Sequence, residues 1–348
     1  MSKALALKYR PQSFSDLTEQ TAVVTILKNQ IETNTIKHGY LFVGAAGTGK
    51  TTSARIFANM INKGKGTPIE LDAASNNSVE DIRELIDQAQ TKSIDSEYKV
   101  FIIDEVHMLS TAAFNAFLKT LEEPPAKSIF ILATTNPEKI PATILSRVQR
   151  YNFQRISQKG VVDRLYYILE QEEIEHNVLT WEAPAVEYIA KIADGGMRDA
   201  ITLMDKCLSY SNKLTLDNVV KALGVADYAT MFELTNALMS EDGITNVIDI
   251  IDRIYSSGLD LKLFVKNYFE LILDINIWGA TERFDATKIP ATWYGEVETY
   301  GATGLYFCHE LLRFLIDLQN VIKWEQNPKA MIIAKFIVFM EEQHDRAD

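Results

Sequence analysis

The chain is short of the residues that build disulfide-stapled or metal-centred proteins. It has two cysteines, Cys207 and Cys308, about a hundred positions apart and each inside an apolar helical pattern. That count excludes a disulfide framework and a four-thiolate zinc site, so each is expected to be a small buried hydrophobe. The five histidines, at 38, 107, 176, 309 and 344, include no pair in the HExxH spacing that sets two imidazoles on one helical face. A transition-metal enzyme is therefore not expected. Long hydrophobic runs are missing too: the stretch from Met331 to Met340 is broken by Lys335, well short of the roughly 20 apolar residues of a membrane span. No membrane is expected among the partners. The first residues, Met1 to Tyr9, hold lysines but no apolar segment followed by a small-residue cleavage site, which makes a cytoplasmic location the expectation.

What the chain does have is the balance of an ordinary globular protein. Of its 348 residues 47% are hydrophobic and 24% charged, enough for a sizeable core and for two or three domains. Its 47 acidic and 35 basic side chains give a formal net charge of −12. The acid is unevenly placed, because residues 1 to 155 carry 18 basic and 16 acidic side chains and the remainder 17 and 31, a net of −14. Contact with nucleic acid would need a local patch of the N-terminal part, and the C-terminal part reads as a protein-contact region.

The first 155 residues alternate strands with helices. Apolar runs at Gly39 to Val43, Ile69 to Leu71, Lys99 to Ile103, Ser128 to Ala133 and Gln149 to Phe153 suit buried strands of a mostly parallel sheet. Between them, Val79, Ile82, Ile86 and Ala89 repeat at helical spacing behind Ser78-Val79-Glu80-Asp81, a capping-box pattern. Phe114, Phe117, Leu118 and Leu121 form a second helical stripe, which Pro124-Pro125 ends. This alternation predicts a three-layer α/β domain. From about Gln154 strand signals vanish, leaving a helical group to Gly224, broken at Gly195-Gly196, and a second from Val225 to the end. In the latter, Cys308, Leu311, Leu315, Leu318 and Ile322 form a 3-4-3-4 stripe, either core or an inter-subunit seam.

The strongest chemical signal is Gly44-Ala45-Ala46-Gly47-Thr48-Gly49-Lys50-Thr51, a full GxxxxGK[ST] match behind an apolar run and ahead of a helical pattern. The glycines let backbone N–H groups wrap phosphates at a helix N-terminus, Lys50 reaches the β- and γ-phosphates, and the Thr51 hydroxyl ligates Mg²⁺. Val100 to Ile103 then runs into Asp104-Glu105. A parallel strand next to the P-loop strand would bring both carboxylates to the same end of the sheet, Asp104 to hold Mg²⁺ through water and Glu105 to activate the attacking water. Asn136, in Ala133-Thr134-Thr135-Asn136-Pro137, could set an amide near the γ-phosphate. Arg147, before the fifth strand, and Arg198, in the turn after Gly195-Gly196, could each neutralise the transferring phosphoryl group, in cis or from a neighbouring subunit.

These residues resemble the AAA+ clamp-loader ATPase subunits of the gamma/tau type of bacterial DNA polymerase III. The likeness is carried by Asp104-Glu105-Val106-His107-Met108-Leu109-Ser110, by Leu118 to Pro125, by Lys8-Tyr9-Arg10-Pro11, Ala73-Ala74-Ser75 and Thr143 to Arg147, and by Gly196-Met197-Arg198-Asp199-Ala200. It spans residues 1 to about 205. The resemblance implies an AAA+ P-loop NTPase with a nucleotide-binding α/β domain at 1–155, a helical lid at 156–224 and a helical collar for oligomerisation at 225–348. By the same resemblance Gly44 to Thr51, with Thr52 behind them, are the Walker A loop, Asp104 and Glu105 Walker B, Asn136 sensor 1, Arg147 the finger completing a neighbour's site and Arg198 sensor 2. Ala6, Arg10 and Thr18 would lie at the adenosine end. The implied cofactors are ATP and Mg²⁺. The implied partners are other subunits of a pentameric ring, homo- or hetero-oligomeric, a sliding clamp, primer-template DNA and the replicative polymerase.

Three departures matter. Bacterial members carry a four-cysteine zinc module where this chain has the short connector Ile61 to Pro68, so no zinc is expected. Their Ser-Arg-Cys box reads Ser146-Arg147-Val148, keeping the arginine. After Ala73-Ala74-Ser75, where basic residues are common, stand Asn76-Asn77-Ser78, which weighs against phosphate contacts there and against a basic switch on Glu105. The expected function is an ATP-hydrolysing motor subunit of a sliding-clamp loader. The alternatives are a nucleotide-binding scaffold that does not hydrolyse, which would need a broken site, and another AAA+ DNA-remodelling motor such as a branch-migration helicase, which would need a basic C-terminal DNA-binding domain.

Overall fold

The computed structural model describes residues 3–176, 179–223, 228–240 and 243–344. In chain order the helices are α1 (Leu5–Lys8), α2 (Thr21–Glu32), α3 (Lys50–Ile61), α4 (Val79–Gln90), α5 (Thr111–Glu122), α6 (Ala142–Leu145), α7 (Gln158–His176), α8 (Ala183–Ile192), α9 (Met197–Tyr210), α10 (Leu216–Leu223), α11 (Tyr228–Met239), α12 (Ile244–Ser256), α13 (Leu261–Thr281), α14 (Tyr294–Thr303), α15 (Leu305–Ile322) and α16 (Pro328–His344). The strands are β1 (Gly39–Val43), β2 (Ile69–Asp72), β3 (Lys99–Asp104), β4 (Ser128–Thr134), β5 (Gln149–Asn152), β6 (Thr180–Trp181) and β7 (Lys213–Leu214). Two compact units result, Met1–Glu172 with Ala193–Asp205, and Glu173–Ile192 with Lys206–Asp348.

The first unit is built on a parallel sheet in the order β2-β3-β4-β1-β5. Alternate residues of each central strand serve opposite faces, as the two-residue period of a strand requires. Tyr40 and Phe42 pack with Phe57 of α3, Leu27 of α2 and Ile131, whereas Leu41 and Val43 pack with Ile82 of α4, Phe117 of α5 and Leu132. Helices thus cover both faces, which is why β1, β3 and β4 read as unbroken apolar runs. The edge strands do not fit the expectation of five buried strands: β2 alternates half-buried and exposed residues and β5 buries only Tyr151, since an edge has a neighbour on one side only.

Local signals are realised in atoms. Ser78 caps α4: its hydroxyl accepts from the Asp81 N–H at 3.2 Å while the Asp81 carboxylate accepts from the Ser78 N–H at 3.0 Å. The α5 helix stops at Glu122, before Pro124-Pro125. Between α8 and α9 the chain turns at Gly195, whose φ of +77° favours glycine.

Among the described residues the regular elements of the second unit are helices apart from β6 and β7, which pair in parallel at Thr180↔Lys213 and Trp181↔Leu214. This corrects the reading that no strand follows Gln154; a two-residue bridge is too short to print a periodicity. Cys308, Leu311, Leu315, Leu318 and Ile322 are all buried in one cluster with Tyr268, Ile272 and Phe336, so the stripe on α15 is core. Both cysteines are buried, and burial pushes each thiol up to about 11, which keeps them as inert hydrophobes. The boundary expected at residue 224 lies outside the described residues. Among the described residues no helix is long and apolar enough to cross a membrane.

Candidate nucleotide site

The loop between β1 and α3 closes on itself and on the strands beside it. Thr48 donates its hydroxyl to the Ala45 carbonyl at 2.9 Å, and the Gly44 N–H donates to the Thr134 carbonyl at 3.2 Å. A Cβ on Gly44 would stand 2.5 Å from the Phe153 carbonyl oxygen, so only glycine fits. Gly47 and Gly49 take φ of +71° and +98°, the left-handed backbone that turns successive N–H groups toward an anion. Lys50 opens α3 and is 6% exposed, its ammonium donating to the carbonyls of Gly44 and Ala45, both at 2.8 Å. Burial lowers its pKa, an effect opposed by Glu105 and Asp104.

Thr51 donates its hydroxyl to Asp104 at 2.6 Å. The two reach each other although β4 lies between β1 and β3, so the expectation of adjacent strands is corrected: the P-loop helix spans the intervening strand's end to meet the acidic pair. A hydroxyl beside a carboxylate is a hard-oxygen donor set that fits Mg²⁺, which takes one or two protein oxygens together with substrate phosphates. Among the described residues no cluster of three or more histidine, cysteine, aspartate or glutamate side chains could hold a metal alone.

A cleft of about 780 Å³ opens here within the first unit, in the size range of small-molecule sites. Residues Gly47 to Thr52 line it, with Ala46, Asp104 and Glu105, and Ala6, Arg10, Thr18 and Arg198 face it as well. Gly44 and Ala45 back it through their bonds to Lys50. Arg10 donates to the Thr52 hydroxyl at 3.2 Å, and burial followed by the nearby Arg55 lowers its pKa. The approach of Arg198 depends on backbone: the Met197 N–H donates to the Gly47 carbonyl at 3.0 Å. A Cβ on Gly47 would come within 3.1 Å of Gly196 and 3.3 Å of the Arg198 nitrogen.

Besides Gly44 and Ala45, two expected residues are not among those lining the cleft. Asn136 follows the end of β4, its N–H donating to the Thr134 hydroxyl at 3.0 Å. Arg147 pairs with Glu122 and donates to the Thr143 carbonyl at 2.6 Å and the Ser146 hydroxyl at 3.0 Å. Asn76 stays with its own turn, donating to the Asp72 carbonyl at 3.1 Å, while the Asn77 carbonyl accepts from the Ser110 N–H ahead of α5 at 3.2 Å. Sequence reasoning missed the partners of Glu105, which are Thr135 and His107. It also missed the Gly196 and Met197 backbone against the P-loop; the glycine pair ahead of Arg198 was the available signal.

A parallel sheet with a P-loop after β1 and an acidic pair at the end of β3 defines a P-loop nucleotide-binding protein of the AAA+ class. The Thermotoga maritima RuvB Holliday junction branch migration motor has this fold, with a TM-score of 0.50 over 72% of this chain and 86% of that one at 19% identity. Three family descriptions match consecutive stretches: DNA polymerase III, delta subunit, at residues 67–157; DNA polymerase III clamp loader subunit, ATPase lid domain, at 160–213; and DNA polymerase III subunits gamma and tau domain III, at 214–292. The DNA polymerase III subunit gamma of Buchnera aphidicola subsp. Acyrthosiphon pisum is 36% identical over 74% of this chain and 75% of that protein. The subunit tau of Bacillus subtilis is 33% identical over 99% of this chain and 64% of that protein. The chain belongs to the gamma/tau family of DNA polymerase III subunits. It spans 64% of the Bacillus relative's length and 38% of a tau/gamma subunit from Haemophilus influenzae.

Proposed function

We propose that this chain is an ATP-hydrolysing motor subunit of a sliding-clamp loader, in which ATP closes a ring of subunits around primer-template DNA and hydrolysis releases a loaded clamp. The observation that carries the reading is the 2.6 Å Thr51–Asp104 contact at a cleft that Lys50 and Arg198 also face. In this reading the P-loop amides and Lys50 hold the phosphates, and Arg198 reads the γ-phosphate. Ala6, Arg10 and Thr18 receive the adenosine. Glu105 accepts the proton of the attacking water, while Asn136 orients that water. Thr51 and Asp104 would hold Mg²⁺, which supplies charge neutralisation on the phosphate oxygens.

Arg147 serves a neighbouring subunit. Its place outside its own cleft, against Glu122, supports that role. Residues 1–155 form the nucleotide-binding domain, 156–224 the lid and 225–348 a collar holding a five-membered ring, homo- or hetero-oligomeric. The C-terminal net charge of −14 suits a surface that faces protein rather than DNA. The sliding clamp and the replicative polymerase are the further partners, in the cytoplasm.

The test is the ATPase rate per subunit against protein concentration, with Mg²⁺ and primer-template DNA, alone and with the other loader subunits added. A rate that climbs with concentration or on adding those subunits is expected. A rate that stays at the level of a Glu105→Gln variant under every condition refutes the reading.

A further inference from the structure

Glu105 is held in a way that its motif does not explain. It sits at φ +46°, a left-handed conformation that a glutamate adopts at a cost, at the head of the short turn Val106–Met108 whose Val106 is fully buried. Among the described residues the polar contacts of its carboxylate fall on one oxygen, Oε2: the Thr135 N–H at 3.3 Å, the Thr135 hydroxyl at 3.0 Å and Nδ1 of His107 at 3.2 Å. The same Nδ1 lies 3.0 Å from the Thr134 hydroxyl, which accepts the N–H of Asn136. A single nitrogen of the His107 ring, on a side chain 11% exposed, therefore stands between Glu105 and the turn that carries Asn136.

We infer that His107 is a positioning residue for Glu105. With its proton on Nδ1 it anchors Oε2, and with Thr135 it leaves Oε1 as the oxygen turned to the attacking water. A neutral imidazole nitrogen either donates or accepts. If Nδ1 carries the lone pair instead, it accepts from the Thr134 hydroxyl and faces the carboxylate with no proton between them, and the anchor is lost. The Thr134 hydroxyl thus competes with Glu105 for Nδ1, and a shift of the Asn136 turn is felt at the base through one hydrogen bond. The inference rests on Glu105 acting as the base in the proposed motor.

Two measurements on the full chain test it. In the first, His107→Asn places an amide N–H near the position of Nδ1, His107→Gln places one near Nε2, and His107→Ala places none. Steady-state hydrolysis in the assembled loader should lose about 10²-fold in kcat for His107→Gln and His107→Ala, the usual effect of a misplaced catalytic group, with ATP affinity within about twofold of the parent. His107→Asn should recover most of that loss. Equal activity for the Asn and Gln variants, or full activity for His107→Ala, overturns the inference.

The second measurement needs no hydrolysis. Long-range ¹⁵N–¹H spectra of the imidazoles, with the His107 signals assigned by their loss in His107→Asn, should show the proton on Nδ1, and Glu105→Gln should shift the tautomer ratio toward Nε2. An Nε2–H ring in the parent chain, or a ratio indifferent to Glu105→Gln, overturns it too. If the parent hydrolyses no faster than Glu105→Gln, the motor reading fails while the spectra still decide whether His107 anchors Glu105.

Discussion

Asp274, in the middle of α13, is 6% exposed, and its carboxylate accepts the Lys288 N–H at 2.9 Å. Burial pushes it up to about 6, against the opposing pull of that hydrogen bond and of Lys288 and Lys191; Glu270 adds a small push in the same direction. The buried Tyr188 and the half-buried Tyr228 stand nearby. A carboxyl group raised in the folded state binds its proton more tightly there than in the unfolded chain. Stability of the second unit is therefore greater where Asp274 is protonated and falls as pH rises from the ordinary carboxylate range, near 4, through about 6. At 1.36 kcal/mol per pKa unit the full effect is about 3 kcal/mol.

Asp274→Asn keeps an acceptor for the Lys288 N–H and abolishes the charge, so its advantage over the parent should grow from about 1 kcal/mol near pH 4.5 to about 3 kcal/mol near pH 7.5. The protein supplies its own probe. All four tryptophans, Trp181, Trp278, Trp293 and Trp324, belong to the second unit. The tryptophan fluorescence midpoint in urea therefore reports on that unit. Taking the difference between parent and variant at each pH cancels the other carboxylates. A difference that does not change between pH 4.5 and 7.5 refutes the reasoning.

Other perturbations separate the parts of the site and of the core. Arg147→Ala breaks an exposed ion pair worth no more than about 1 kcal/mol of stability, yet should cut hydrolysis by about 10³- to 10⁵-fold with ATP binding intact; Lys50→Ala protomers, which keep Arg147, should restore part of the rate when mixed in. Normal hydrolysis by Arg147→Ala would remove the finger assignment. Gly47→Ala forces a side chain into φ +71° against Gly196 at 3.1 Å, a strain of roughly 1–2 kcal/mol that should weaken ATP binding about tenfold by titration calorimetry. Phe130, fully buried and stacked on Phe101 at 5.2 Å between ring centroids, should cost about 3–5 kcal/mol as Phe130→Ala. That loss should appear in far-UV circular dichroism melts as a lowered midpoint.

Residues that act through neighbours in the chain could be read directly. The P-loop is a contiguous string whose glycine spacing sets its backbone, so Gly44 to Thr51 needed no fold to be recognised, and the Ser78 cap and the Pro124 stop are decided within one turn of chain. The three-layer arrangement followed from apolar runs alternating with helical stripes, because a strand covered on both faces has no polar side to display. The family resemblance extended this reading to Arg10 and Arg198, which are remote in sequence from the loop they join.

What tertiary structure alone decided are the relations between segments. Nothing in the strings around Asp104 or Thr134 says that β4 enters between β1 and β3, since strand order is set by how crossovers pack and leaves no mark on local periodicity. The contact of Glu105 with Thr135 and the seat of Gly196 and Met197 on the P-loop arise from segments 30 and about 150 residues apart meeting at one end of the sheet. The rise of Asp274 also belongs to this class, because desolvation comes from what surrounds a side chain in space and its flanking residues do not encode it. Sequence by itself determined which groups could do chemistry on a nucleotide; only the packed fold set which of them share a cleft, which face away and which are held by a neighbour.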